Sequence, residues 1–228
     1  MSHHCEETLE CVGPGQFIPT LKPLPPEEIA RREKQQAEYN DYARRKKVEE
    51  LRAVWGAPSR HVETIAGFEN EWAGKFGAIR NKLDSGFCIA LVGNRGNGKT
   101  QMAVELMRIV TGKLLPAKFT TAISFFMAIK AAYRKDATQT EADVLKSFQR
   151  PNLLVIDEIG KRSDSEWENN LLFELINRRY NDLTDTLLLD NRPKSEFIQS
   201  IGPSLASRMQ ETGGIIECNW QSFREAKP

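Results

Sequence analysis

Short apolar runs alternate with longer mixed segments from about residue 87 onward, and that rhythm predicts a fold before any single residue is singled out. Runs of strand length fall near 87–92, 118–121, 152–157, 186–190 and 213–218. Leu153-Leu154-Val155-Ile156 is continuously aliphatic, as expected of a strand covered on both faces rather than one. Segments with helical spacing lie near 99–110, 123–134, 139–149, 165–181, 194–201 and 203–210, after a first helix expected from Glu69 to Leu83. Such alternation predicts an α/β fold with a five-stranded parallel sheet between helices and a ligand site at the C-terminal ends of its strands.

The N-terminal quarter has a different texture. Pro14, Pro19, Pro23, Pro25 and Pro26 make residues 1–24 an expected extended arm. Pro25-Pro26-Glu27-Glu28 then has the proline and acids of a helix start, and no breaker follows until Gly56. This helix is dense in charge, with Ile29, Tyr39, Tyr42, Val48, Leu51, Val54 and Trp55 as its few candidates for burial. A helix so polar rarely folds alone. It is expected either to dock on a partner or to pack its last turns on its own core. The chain therefore divides into an arm (1–24), a helix (25–56) and an α/β domain (57–228). Ten residues follow Cys218, so no C-terminal helical lid is expected.

Composition narrows the classes. At 228 residues and 40% hydrophobic content the chain supports one sizeable core plus an appendage. A net charge of +1 excludes a uniformly basic coat, so any nucleic-acid contact must come from a local stripe. No run of 18 apolar residues is present and no apolar signal segment opens the chain, so no membrane partner is expected. Four cysteines, with Cys88 and Cys218 in expected strands, suit a reducing cytoplasm. His3, His4, Cys5 and Cys11 are potential zinc ligands, but adjacent histidines followed by Cys-x5-Cys match no familiar ligand spacing.

The chemistry concentrates at Gly93-Asn94-Arg95-Gly96-Asn97-Gly98-Lys99-Thr100. The octet satisfies G-x-x-x-x-G-K-[ST] directly after an apolar run and before a helical segment. Glycines at 93, 96 and 98 let backbone N–H groups turn inward around an anion, and the following helix presents its positive end to the same point. Lys99 is the candidate cation for the β- and γ-phosphates of ATP, and Thr100 the hydroxyl ligand of Mg2+. A second constellation ends the aliphatic strand at 152–157. Asp157 is the candidate for holding Mg2+, and Glu158 for polarising the attacking water. A third strand, Thr186 to Asp190, ends at Asn191, a neutral side chain suited to orient that water.

Asn152 through Gly160, the stretch from Leu189-Asp190-Asn191 to Ser207-Arg208-Met209, and Asn219-Trp220-Gln221-Ser222-Phe223-Arg224 resemble the DnaC-type helicase loaders. Their relatives include the DnaI loaders and the IstB transposition helpers, all of the AAA+ class. The resemblance covers residues 50 to 225. It implies an ATPase that hydrolyses ATP to ADP and phosphate, weakly as a single subunit. It places an arginine finger on Arg208, which would reach a neighbouring copy's γ-phosphate. Arg178 and Arg179 are weaker candidates for the same inter-subunit surface.

The resemblance also implies a grip on single-stranded DNA at Lys130, Tyr133, Ser165 and Trp167. Bases offer a π-face to aromatics and the strand offers charge to cations. Trp167 lies in the polar stretch Lys161 to Glu168 and has few apolar neighbours in sequence. The implied partner is a replicative hexameric helicase, grasped by the N-terminal region. Three alternatives stand beside a helicase loader. One is a transposition helper acting on duplex DNA, one a nucleotide or small-molecule kinase using the same loop, and one an ATP-sensing adaptor with little turnover.

Overall fold

A computed structural model describes residues 5–13, 16–63 and 71–223. The chain forms two compact units, Met1–Glu49 and Glu50–Pro228.

In the first unit, β1 (Cys5–Gly13) and β2 (Gln16–Pro23) pair antiparallel, Cys5 opposite Pro23 and Cys11 opposite Phe17, with an irregularity between Cys11 and Gly13. The proline-rich composition had suggested an extended arm; the structure has a two-stranded ribbon. Pro19 fits because each strand of a ribbon keeps one edge with no ladder to serve. His3 and His4, and the side chains of Cys5 and Cys11, lie outside what the structure describes. Helix α1 (Pro26–Ala53) begins in this unit, with Pro26, Glu27 and Glu28 in its first turn and no buried residue. Glu28 pairs with Arg31 at 2.7 Å and Arg32 at 3.0 Å, and Asp41 with Arg45 at 2.8 Å. Exposed pairs of this spacing contribute a few tenths of a kcal/mol each.

The second unit is built on a parallel sheet. Strands β3 (Cys88–Val92), β4 (Ala117–Thr121), β5 (Leu153–Asp157), β6 (Asp185–Leu189) and β7 (Gly214–Glu217) stand in the order β4-β5-β6-β3-β7. Alternate strand residues serve opposite faces. Ile89, Leu91, Leu153, Val155, Leu187 and Leu189 pack against α3 (Glu71–Arg80) and α4 (Lys99–Gly112). Ala90, Val92, Leu154, Ile156 and Leu188 pack against α5 (Ala122–Ala131), α6 (Glu141–Gln149), α7 (Glu166–Asn181) and α8 (Lys194–Thr212). This two-sided cover explains why the strands read as continuous aliphatic runs.

The helix ends follow local chemistry. Thr140 and Asp143 form a reciprocal capping box that starts α6. Gly202 (φ 77°) and Pro203 break α8 at the junction expected between helices 194–201 and 203–210. The helix expected from Glu69 is described only from Glu71, since residues 64–70 lie outside the described set. Among the described residues no helix follows β7, and none is long and apolar enough to cross a membrane.

Candidate functional site

The parallel sheet delivers the ends of β3, β5 and β6 to one edge, where a cleft of ≈ 480 Å3 opens. Gly96, Asn97, Gly98, Lys99 and Thr100 line it from the loop between β3 and α4. Asp157 and Glu158 line it from β5, Asn191 from the end of β6, and Arg60 and His61 from the short helix α2 (Ser59–Val62). Its volume lies in the range of small-molecule sites.

The glycine loop has the geometry of an anion cradle. Gly93, Gly96 and Gly98 take φ of 118°, 89° and 73°, values that L side chains avoid. Gly98 has a second constraint, because a Cβ there would meet Trp72 Nε1 at 2.9 Å and Phe223 at 3.2 Å. Lys99 Nζ donates to Gly93 O and Asn94 O, both at 2.6 Å, so the ammonium is held within the loop.

Across the cleft Thr100 Oγ1 donates to Asp157 Oδ2 at 3.0 Å. The hydroxyl and the carboxylate thus meet at one point of the cleft, and an all-oxygen donor set of this kind suits Mg2+. Burial raises the pKa of Asp157, against the lowering effect of the Thr100 hydroxyl and the Glu158 N–H, which donates to Asp157 Oδ1 at 2.6 Å. A cation there would offset that burial. The residues present thus fit Mg2+ with a triphosphate.

Glu158 sits at φ 58°, ψ 40°, a left-handed conformation uncommon outside glycine, and starts the 3-10 turn Ile159–Lys161. Its carboxylate is paired with Lys161. Asn191 is flanked by a tightly bonded pair. Buried Asp190 accepts from Arg192 N at 2.8 Å, Nε at 3.1 Å and Nη2 at 2.7 Å. Gly160 lies against them, where a Cβ would be 2.7 Å from Arg192 Nε and 2.9 Å from Asp190 Oδ1.

The structure rearranges several expectations. Asn97 was read as a phosphate-loop residue, yet its side chain is buried and its amide donates to Cys218 O at 2.9 Å and to Trp220 O. Arg95 and Asn94 are exposed at the rim. Arg179 cannot serve an inter-subunit surface. It is wholly buried and donates to Thr186 Oγ1 and to the carbonyls of Phe148, Gln149, Pro151 and Asp185, tying α7 to β6 and the end of α6. Arg178 pairs with Glu174 at 2.6 Å.

Arg208 does not line the cleft. Its guanidinium donates to Asn177 Oδ1 at 2.7 Å and Ser204 O at 3.1 Å, over the rings of Phe173 and Tyr180.

Lys130, Tyr133 and Trp167 do come together. Lys130 Nζ lies 5.1 Å from the centre of the Trp167 ring, and the Tyr133 ring 6.5 Å from it. Although its sequence neighbours are polar, Trp167 has apolar company in space, half-buried against Phe126 at 5.8 Å. Helix α5 adds Ile123 and Met127, both exposed. Ser165 is the N-cap of α7, its hydroxyl accepting from Glu168 N at 3.3 Å.

Other cleft residues carried no sequence signal. Arg60 and His61 reach it only because His61 Nδ1 meets Gln101 Oε1 at 3.0 Å and Gln101 Nε2 donates to His61 O at 3.2 Å, fastening α2 to α4. Trp72 Nε1 donates to Gly98 O at 3.3 Å from beneath the loop. Phe223 stands in the stretch 219–224 that carries the resemblance, without a role assigned there, and Lys161 directly follows the stretch 152–160.

A family model described as IstB-like ATP binding protein matches residues 26–225. The chain belongs to this family. It therefore carries an ATP-binding domain. The replicative helicase loader DnaC of Escherichia coli strain K12 is 26% identical over 133 residues, covering 58% of this chain and 54% of that protein. The chain thus matches about half the length of its curated relatives. Among solved structures, the crystal structure of the DnaC helicase loader superposes with a TM-score of 0.59 at 20% identity, covering 70% of this chain and 99% of that one. The crystal structure of DnaI gives 0.56 at 12% identity, with coverage of 72% and 95%. These neighbours are similar in fold to the α/β domain described here, whose parallel sheet has five strands.

Proposed function

We propose that the protein is an ATP-hydrolysing loader that places a replicative hexameric helicase on single-stranded DNA and works as an assembly of copies. The placement of Arg208 carries this reading. It stands apart from its own cleft while Asp157, Glu158 and Asn191 stand in it, so a role at a neighbour's pocket would require it to exchange Asn177 Oδ1 and Ser204 O for that neighbour's phosphate. The similarity to DnaC supports the choice of partner.

In this mechanism the inward N–H groups of Gly96 to Lys99 hold the phosphates, and Lys99 leaves the loop carbonyls to meet the β- and γ-oxygens. Mg2+, held by Thr100 and Asp157, would offset charge on the triphosphate. Glu158 must exchange Lys161 for the attacking water before it acts as base, and Asn191 orients that water. Arg208 from the adjacent copy stabilises the charge that develops on the transferred phosphoryl group. The exposed group of Lys130, Tyr133 and Met127 beside Trp167 provides a stacking and charge-bearing surface for single-stranded DNA. Bound nucleotide would lock neighbours together, and its hydrolysis would release them.

The test is size-exclusion chromatography of the chain with replicative helicases, with and without ATP, alongside turnover assays with single-stranded DNA. The expected result is ATP-dependent co-elution, with DNA-stimulated hydrolysis that Arg208→Ala lowers about 10²-fold or more while ATP binding persists. Full turnover by dilute protein, unaffected by Arg208→Ala, refutes the assembly. The family description favours a second reading, a transposition helper, and capture of a transposase on duplex DNA in place of the helicase would select it.

A further inference from the structure

The segment that follows β7 crosses the outside of the phosphate loop and is bonded to it at successive positions. Cys218 N donates to Val92 O at 2.8 Å, which continues the β7 ladder up to the loop. From there Trp220 Nε1 donates to Asn97 O at 2.9 Å and Phe223 N to Gly96 O at 3.0 Å. Asn97 answers with its amide, which donates to Cys218 O at 2.9 Å and to Trp220 O. The approach at Gly93 is equally close, since a Cβ there would meet Cys218 O at 2.9 Å.

An anion cradle made of backbone needs its N–H groups turned inward, which turns the carbonyls outward. Carbonyls forced away from the anion need donors of their own, or the peptide planes relax toward other partners. In this loop the donors come from named places. Trp72 supplies Gly98 O, and Lys99 supplies Gly93 O and Asn94 O until it turns to the phosphates. The carbonyls of Gly96 and Asn97, at the centre of the cradle, are supplied from the segment after β7, by Phe223 N and Trp220 Nε1.

We propose that Trp220, acting through the backbone and side chain of Asn97, is a positioning residue for the nucleotide's phosphates. The strap 218–223 is the outer half of the scaffold whose inner half is α4. The proposal rests on the triphosphate occupying the 93–100 loop, and it assigns Trp220 a task that loop motif, strand and acids do not contain. An indole suits the task because it is a donor only, and its one N–H is spent on Asn97 O.

Trp220→Phe keeps the ring and removes that N–H. Calorimetric titration of Mg-ATP and, separately, of inorganic tripolyphosphate into the full chain is the test. The expected result is a loss of affinity of about 5-fold for each probe, the same factor for both, with KM for ATP raised and kcat unchanged. A purely structural tryptophan would not move the two probes together while leaving kcat alone. Asn97→Ser, which removes the amide donors and keeps the backbone acceptor, should weaken both probes in the same direction. The double variant should lose less than the product of the two single losses, because the bonds they remove fasten the same strap to the same loop residue. Wild-type affinity for both probes in Trp220→Phe overturns the proposal. So does wild-type affinity in Asn97→Ser if the tryptophan variant does not fold. Failure of tripolyphosphate to compete with ATP in the unmodified protein would remove the loop assignment itself, a distinct outcome that takes the proposal with it.

Discussion

Gly160→Ala is the smallest change that should reach the catalytic edge of the cleft. The added methyl would lie 2.7 Å from Arg192 Nε, 2.9 Å from Asp190 Oδ1 and 3.1 Å from Arg192 Cζ, so something must move. Two responses compete. If the Asp190–Arg192 pair parts, the Asp190 carboxylate, only 1% exposed, loses its cation, and breaking a buried pair costs about 3–5 kcal/mol. If instead the 3-10 turn Ile159–Lys161 shifts outward, the cost is that of overpacking, about 1–3 kcal/mol. The cheaper response prevails, so the fold should lose about 1–3 kcal/mol. The displaced turn begins at Glu158, and turnover should fall while ATP binding at the loop holds. Urea unfolding read by tryptophan fluorescence is a suitable assay, since Trp55, Trp72, Trp167 and Trp220 all lie in the second unit. The decisive control is Arg192→Ala. With the guanidinium gone the methyl has room, so Gly160→Ala should cost clearly less in that background. An alanine variant within 0.5 kcal/mol of wild type, or one whose cost is the same in both backgrounds, refutes the reasoning.

Two further outcomes follow from buried polar groups. Burial holds the folded pKa of Asp157 above its ordinary 3.8, so its contribution to stability is fully present below that value and is lost as pH rises through the folded pKa. Asp157→Asn should therefore unfold at higher urea than wild type near pH 7, the gap closing below about pH 4, while hydrolysis disappears; an unchanged gap at both pH values would contradict this. Arg179→Lys keeps the charge but loses the planar fork, and with at least two of its buried bonds unmade it should destabilise the second unit by about 2 kcal/mol without changing ATP affinity. Wild-type stability with an assembly defect would restore Arg179 to the inter-subunit surface.

How much of this was legible in the residues depends on the range over which each signal acts. The octet 93–100 and the aliphatic run before Asp157 are local signals, and motif plus hydrophobic period sufficed to expect the parallel sheet and to put both groups at one sheet edge. The pairing of β1 with β2 is hidden behind the prolines, which signal an extended arm although a ribbon's outer edge tolerates them. Arg179 is hidden from a sequence reading because two adjacent arginines at a helix end have the pattern of a solvated face, whereas its side chain is buried. The carbonyls that surround it come from residues 148–151 and 185, which sequence spacing does not bring together.

Strand order, by contrast, is a property of the packed chain. Placing β6 between β3 and β5 carries Asn191 to the acids, and placing β7 beyond β3 carries Trp220 and Phe223 onto the loop. Local composition decides which segments become strands and which glycines turn. The partners of Asn97, Arg192 and Arg208 depend on which faces meet once the core is buried, a long-range outcome that no short window of residues encodes.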